Sequence, residues 1–215
     1  MLGIRGMFWG SDQMVVVKYL SLCAVLGLGG FYLGSLYVFE ERSENFVVAN
    51  RLESFSGNRI LAPFQIDFSK GGNSEPHKLF GWSYSERQGA WTRSKKVCVG
   101  IFFAEPDWGR EVTLDFDFWG VNYAEDEGRR LTVMVQVNGD EAEPWVFARG
   151  ESSAKSLRAK VPETGEALMV WLFLEGIKSP AEKGSGGDRR LLGLGCSKIE
   201  VNRVSLSEET TENEV

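Results

Sequence analysis

Histidine is nearly absent from this chain, with His77 the sole example, and the three cysteines, Cys23, Cys98 and Cys196, stand far apart. A lone imidazole and no CxxC-type spacing leave neither the ligand set of a zinc site nor the members of a Ser-His-Asp relay. Basic charge is also scarce: Lys and Arg number 24 against 30 Asp and Glu, for a net charge of −6. Such a chain has no field to gather phosphates, which argues against nucleic acid as a partner. No cofactor is expected. His77 lies in the polar stretch between Asn73 and Lys78, which reads as a surface loop.

Long apolar runs are missing with one exception. Tyr19 to Phe39 is uncharged and has about the 20 residues that a helix needs to cross a hydrocarbon core. The expectation is one transmembrane helix over 14–39, after a cytoplasmic N-terminus at 1–13. Leu36 to Phe39 is bulky where a signal peptidase requires small residues, so the span stays uncleaved. Arg5 and Lys18 precede it, whereas Glu40, Glu41 and Glu44 follow; the bias places the N-terminus inside and the rest outside an inner, cytoplasmic membrane. Cys23 reads as a packed membrane thiol. Gly30 and Gly34 form a G-x-x-x-G face that lets a second backbone approach, either another copy in a homodimer or a helix of a different membrane partner.

Beyond the span, 40–60 reads as a stalk or linker, and helical periodicity is lacking from residue 61 onward. What replaces it is short β-type runs between Gly, Pro, Asn and Asp. Val112, Leu114, Phe116 and Phe118 alternate with Thr113, Asp115 and Asp117, the pattern of a strand with one buried and one wet face. Val97–Phe103, Leu131–Val137, Glu143–Phe147, Ser156–Val161, Ala167–Glu175 and Lys198–Leu206 supply further strands, and Asn138-Gly139 predicts a tight hairpin because both residues tolerate positive φ. Seven tryptophans, fourteen phenylalanines and 25 glycines suit such a fold. The expectation is all-β: a jelly-roll-like antiparallel β-sandwich of eight to ten strands at 61–206, preceded by the single transmembrane α-helix and followed by a disordered acidic tail at 207–215. Cys98 and Cys196 are expected as buried free thiols, with a disulfide as the alternative.

Three segments carry more specific signals. Gly81-Trp82-Ser83, Glu86, Gly89 and Trp91-Thr92 form the first, Val137-Asn138-Gly139 the second, and Asp188, Arg190, Leu192 and Gly193 the third. In this order they resemble the β-sandwich accessory domain found beside bacterial glycosyltransferases and in surface-polysaccharide proteins, akin in fold to jelly-roll carbohydrate-binding modules. Arg87, Gln88 and Ala90 depart from that family's tighter bend. The resemblance implies a membrane-anchored, non-catalytic, carbohydrate-binding-like module in cell-surface polysaccharide synthesis or export, with a polysaccharide ligand and a membrane glycosyltransferase as partners. The alternative is a scaffolding subunit that binds no glycan.

Trp82, Glu86, Trp91, Asp188 and Arg190 are the candidate ligand-binding residues. Aromatic faces stack on pyranose rings, and carboxylates and guanidinium groups make directional bonds to hydroxyls. The competing reading places Trp82 and Trp91 in the sandwich core and makes Glu86–Arg190 a pair that pins two segments together. Asp115, Asp117, Glu86 and Asp188 are the carboxylates from which a glycosidase pair could be drawn. Alternating acids on a wet strand are ordinary, so no catalytic residue is expected.

Overall fold

The structure is a computed structural model and describes residues 43–121, 130–148, 152–175, 177–182, 184 and 186–204. The chain divides into two compact units, 1–46 and 47–215. Residues 43–46 of the first are helical. The expected transmembrane span at 14–39, with Cys23, Gly30 and Gly34, and the expected tail at 207–215 lie outside the described residues. No helix among the described residues is long and apolar enough to cross a membrane.

The second unit opens with a helix, α1, over 47–55. It continues through eleven described strands: β1 (Arg59–Ile60), β2 (Phe64–Asp67), β3 (Lys78–Phe80), β4 (Ala90–Trp91), β5 (Lys96–Phe103), β6 (Glu111–Val121), β7 (Leu131–Val137), β8 (Asp140–Phe147), β9 (Ser153–Lys160), β10 (Leu168–Leu174) and β11 (Leu194–Arg203). They form two sheets. The six-stranded sheet runs β1-β5-β10-β7-β8, with β3 also on β5; the five-stranded sheet runs β2-β11-β6-β9, with β4 also on β11. All pairings are antiparallel except β1 with β5. This is an all-β sandwich.

Period-two patterning explains how the sheets face each other. Val97, Val99, Ile101 and Phe103 of β5 point into the same core as Leu168, Val170 and Leu172 of β10, and the register sets Leu172 opposite Val97, Val170 opposite Val99 and Leu168 opposite Ile101. Across the core, Val112, Leu114, Phe116 and Phe118 are fully buried, while Thr113, Asp115 and Asp117 are half-buried on the outer face. Phe118, Trp145 and Phe147 join the sheets through edge-on ring contacts at 5.2 to 5.9 Å, the geometry that opposed ring quadrupoles favour. Asn138 (φ 50°) and Gly139 (φ 100°) make the expected two-residue hairpin between β7 and β8.

At one edge of each sheet, the outermost strand limits further pairing. β8 carries Pro144 and three acids, and β9 carries Lys155, Arg158 and Lys160, features that discourage edge-to-edge association.

The segment read as a stalk contributes to the sandwich. Val48 of α1 packs with Leu79 and Cys98 on the outer face of the six-stranded sheet, where Leu52, Phe80, Met169 and Trp171 adjoin them. Arg51 ties the helix to β3 by donating from Nη1 to the Lys78 carbonyl at 2.6 Å. Cys98 and Cys196 are buried free thiols, each pushed above the usual thiol pKa by desolvation, so neither is reactive.

His77 corrects the sequence-based expectation. It is 3% exposed rather than on the surface, because the short 3₁₀ turn Glu75–His77 folds it inward. There Nδ1 donates to the Gly100 carbonyl at 3.1 Å and the ring lies edge-on to Phe64. Burial holds its pKa below the usual 6.5, against the smaller opposing pull of the Gly100 bond. Below pH 6.5 the unfolded chain therefore takes up a proton that the folded chain resists, and stability falls as pH drops. Urea midpoints at pH 7.5 and 5.5 should show this loss in wild type and a smaller one in His77→Gln. Equal losses would mean that His77 does not titrate between these pH values.

Candidate functional site

The five residues singled out from sequence divide into two kinds of environment. Gly81 has φ 77°, which only glycine adopts freely, and this reversal after β3 sends Trp82 into the core. Trp82 packs on Phe68 at 4.8 Å and its indole N–H donates to the Cys98 carbonyl at 3.0 Å. At 8% exposed, Trp82 is a core residue whose edge also forms part of the wall of a neighbouring cleft.

Trp91 is buried as well, but on the opposite side of its sheet. Ala90 belongs to the inter-sheet core, so its neighbour Trp91 points outward, where it meets Trp119 edge-on at 4.5 Å. Two glycines make room for this pair. A Cβ on Gly195 would approach the Trp119 ring to 2.6 Å, and one on Gly89 (φ 143°) would come within 2.9 Å of Trp119 Nε1. The Trp119 Nε1–H is buried and has no hydrogen-bond partner among the described residues.

Glu86, Asp188 and Arg190 do come together. Arg190 grips Asp188 with Nε and Nη2 at 3.0 and 2.8 Å and reaches Glu86 through Nη1 at 3.3 Å. The expected Glu86–Arg190 pair thus links the β3–β4 loop to the segment before β11. All three side chains are 36 to 50% exposed, so the pair that pins the two segments lies at the surface. The guanidinium bonds hold the Asp188 carboxyl below the usual range, and in water such a cluster orients a loop more than it stabilises the fold.

Asp115 accepts from Ser156 Oγ at 2.6 Å on the outer face of β6, an ordinary surface bond rather than a catalytic pairing. Among the described residues no three His, Cys, Asp or Glu side chains gather as a metal ion requires.

Apart from Trp82, the lining of one concave part of this surface was missed from sequence. A cleft of about 430 Å³ lies between α1 and the β3–β4 loop, lined by Arg51, Glu75, Lys78, Ser83, Tyr84 and Arg93 among others. Tyr84 is 86% exposed, so its ring is free at the cleft. Arg93 stands across the same ribbon, its backbone N–H bonded to the Gly81 carbonyl at 2.8 Å. The signal was present inside the motif already singled out, two positions after Trp82, but the pattern did not say which aromatic turns outward.

The chain matches no protein-family profile and no curated protein. Solved structures similar to it include a family GH115 4-O-methyl-α-glucuronidase with specificity for decorated arabinogalactans, at 15% identity over 68% of this chain and 18% of that one, with a TM-score of 0.39. A family 35 carbohydrate-binding module from Clostridium thermocellum is similar at 11% identity over 49% of this chain and 68% of that one, with a TM-score of 0.31. A CBM35 from Paenibacillus barcinonensis is similar at 14% identity over 59% and 84%, with a TM-score of 0.30. The chain spans less than a fifth of the glucuronidase's length, 18%. At these values the sandwich stands on its own strand pairing.

Proposed function

We propose that this sandwich is a non-catalytic carbohydrate-binding module, anchored in a bacterial inner membrane by a helix over 14–39 and acting outside it in surface-polysaccharide synthesis or export. One observation carries the binding part: the exposed Tyr84 ring at a cleft of about 430 Å³. That volume lies in the range of small-molecule sites. A bare aromatic ring beside hydroxyls and guanidinium groups offers what a pyranose needs, an apolar face to stack on and directional donors for its hydroxyls. The uncharged run Tyr19–Phe39 and its flanking charges support the anchor. A membrane glycosyltransferase as partner is supported by the motif resemblance, and Gly30 and Gly34 would be the helix positions in contact with it or with a second copy.

The Glu86–Arg190–Asp188 cluster is proposed as a polar rim to the ligand surface, with Trp82 and Trp91 supporting it from below. A second reading, protein scaffolding without glycan, is favoured by the partly buried aromatic file of Phe80, Trp171 and Phe173 on the outer sheet face.

A glycan array probed with the full-length protein separates the two. Tyr84→Ala should abolish binding while leaving the melting temperature unchanged. Wild type that binds no glycan would shift the function to scaffolding. Extraction of the protein from membranes by alkaline carbonate would remove the anchor.

A further inference from the structure

Resting on the proposed glycan site, we infer that the cleft selects sugars bearing a carboxylate, such as a chain of hexuronates, over neutral ones. The reason is a local inversion of charge. The protein as a whole carries a net charge of −6, yet the charged groups lining the cleft are Arg51, Lys78 and Arg93 against Glu75 alone.

Glu75 is already engaged. Its Oε2 lies 2.7 Å from Lys78 Nζ and its Oε1 3.5 Å from Arg51 Nη1, so its charge, although solvent-exposed, is offset by these two cations and leaves the lining net positive. Lys78 is 4% exposed and its remaining bonds reach the Ser83 carbonyl and Ser85 Oγ at 3.4 and 3.3 Å. Arg51 spends Nη1 on Glu75 and on the Lys78 carbonyl. The side chain of Arg93 has no polar partner among the described residues, and the residue is exposed. One uncommitted guanidinium therefore stands in the same cleft as the bare Tyr84 ring, with further positive charge behind it.

A hexuronate combines the two groups that this arrangement can meet at once. Its ring has an apolar face for Tyr84, and its carboxylate matches the planar, two-pronged donor geometry of arginine. A neutral sugar would use the ring and leave the guanidinium in water. Because the site is open to solvent, the charge contribution is screened by salt, which distinguishes it from stacking.

The test is titration calorimetry of the full-length protein in detergent with a tetragalacturonate, its methyl ester and inorganic phosphate, at low and high ionic strength. The acid should bind with an affinity that falls as salt rises, the ester much more weakly, and phosphate not measurably. Arg93→Gln should weaken the acid roughly tenfold, the loss of one charge-assisted contact, with Arg93→Lys in between and all variants melting like wild type. Equal binding of acid and ester, or an Arg93→Gln that binds the acid as wild type does, would overturn charge selection while leaving glycan binding intact. Phosphate that displaces the acid at constant ionic strength would overturn the carboxylate as ligand. Failure of the acid, the ester and every neutral glycan on the array would overturn the glycan site itself.

Discussion

Trp82→Ala should lower the stability of the protein by about 3 to 5 kcal/mol, whereas Arg190→Ala should leave the melting temperature almost unchanged. The contrast follows from their surroundings. Trp82 fills space against Phe68 and bonds the Cys98 carbonyl; truncation leaves a cavity between well-packed neighbours and a carbonyl without its donor. Arg190 is half in water, where solvent takes over the bonds to Asp188 and Glu86. Urea denaturation of both variants checks this. If Trp82→Ala cost no more than Arg190→Ala, the indole would not be a core element and its assignment as structural would fail.

The second large effect concerns Asp107. Its carboxylate is fully buried, accepting the Ala62 N–H at 2.8 Å through Oδ2 and the Arg203 Nε–H at 2.6 Å through Oδ1. One side chain thereby joins the turn after β5, the segment between β1 and β2, and the end of β11. Asp107→Ala leaves a buried N–H without an acceptor and a guanidinium facing an empty socket. We expect a loss of about 3 kcal/mol, toward the low end for a buried pair because Arg203 is partly hydrated. Asp107→Asn keeps an acceptor for Ala62 and should cost less. The urea midpoints of the two variants should therefore fall in the order wild type, Asn, Ala. An alanine variant as stable as wild type would show that the three segments hold together without the carboxylate.

Neither effect was visible in the sequence, and the reason differs in each case. Trp82 was singled out, but an aromatic residue next to a glycine suits a core and a binding face equally well. Only the turn at Gly81 decides its direction. Asp107 lies in a short acidic stretch, Glu105-Pro106-Asp107, whose composition suggests solvent; its burial arises because Ala62 and Arg203, distant in the chain, converge on it.

The long strands were legible because a period of two repeated over seven or more residues leaves one assignment for each face, as Val112 to Phe118 illustrates. β1 to β4 were not, since each has four residues or fewer and is held by pairing to β5 or β11 rather than by its own pattern. Helix α1 has the same property. Val48 and Leu52 are the residues it adds to the apolar cluster on the sheet, too few to show a helical stripe.

Local patterning was enough for the alternating strands, the Asn138-Gly139 hairpin, the apolar run at 19–39 and the all-β class. Each depends on interactions between near neighbours, or on a periodicity that those neighbours carry. The tertiary structure alone decided which residues are hidden and which are offered to a ligand. It buried His77, Trp82 and Asp107, brought Glu86 to Arg190, and left Tyr84 and Arg93 bare at one cleft. Burial and charge pairing depend on what arrives from elsewhere in the chain, and that information lies in the meeting of the two sheets with α1.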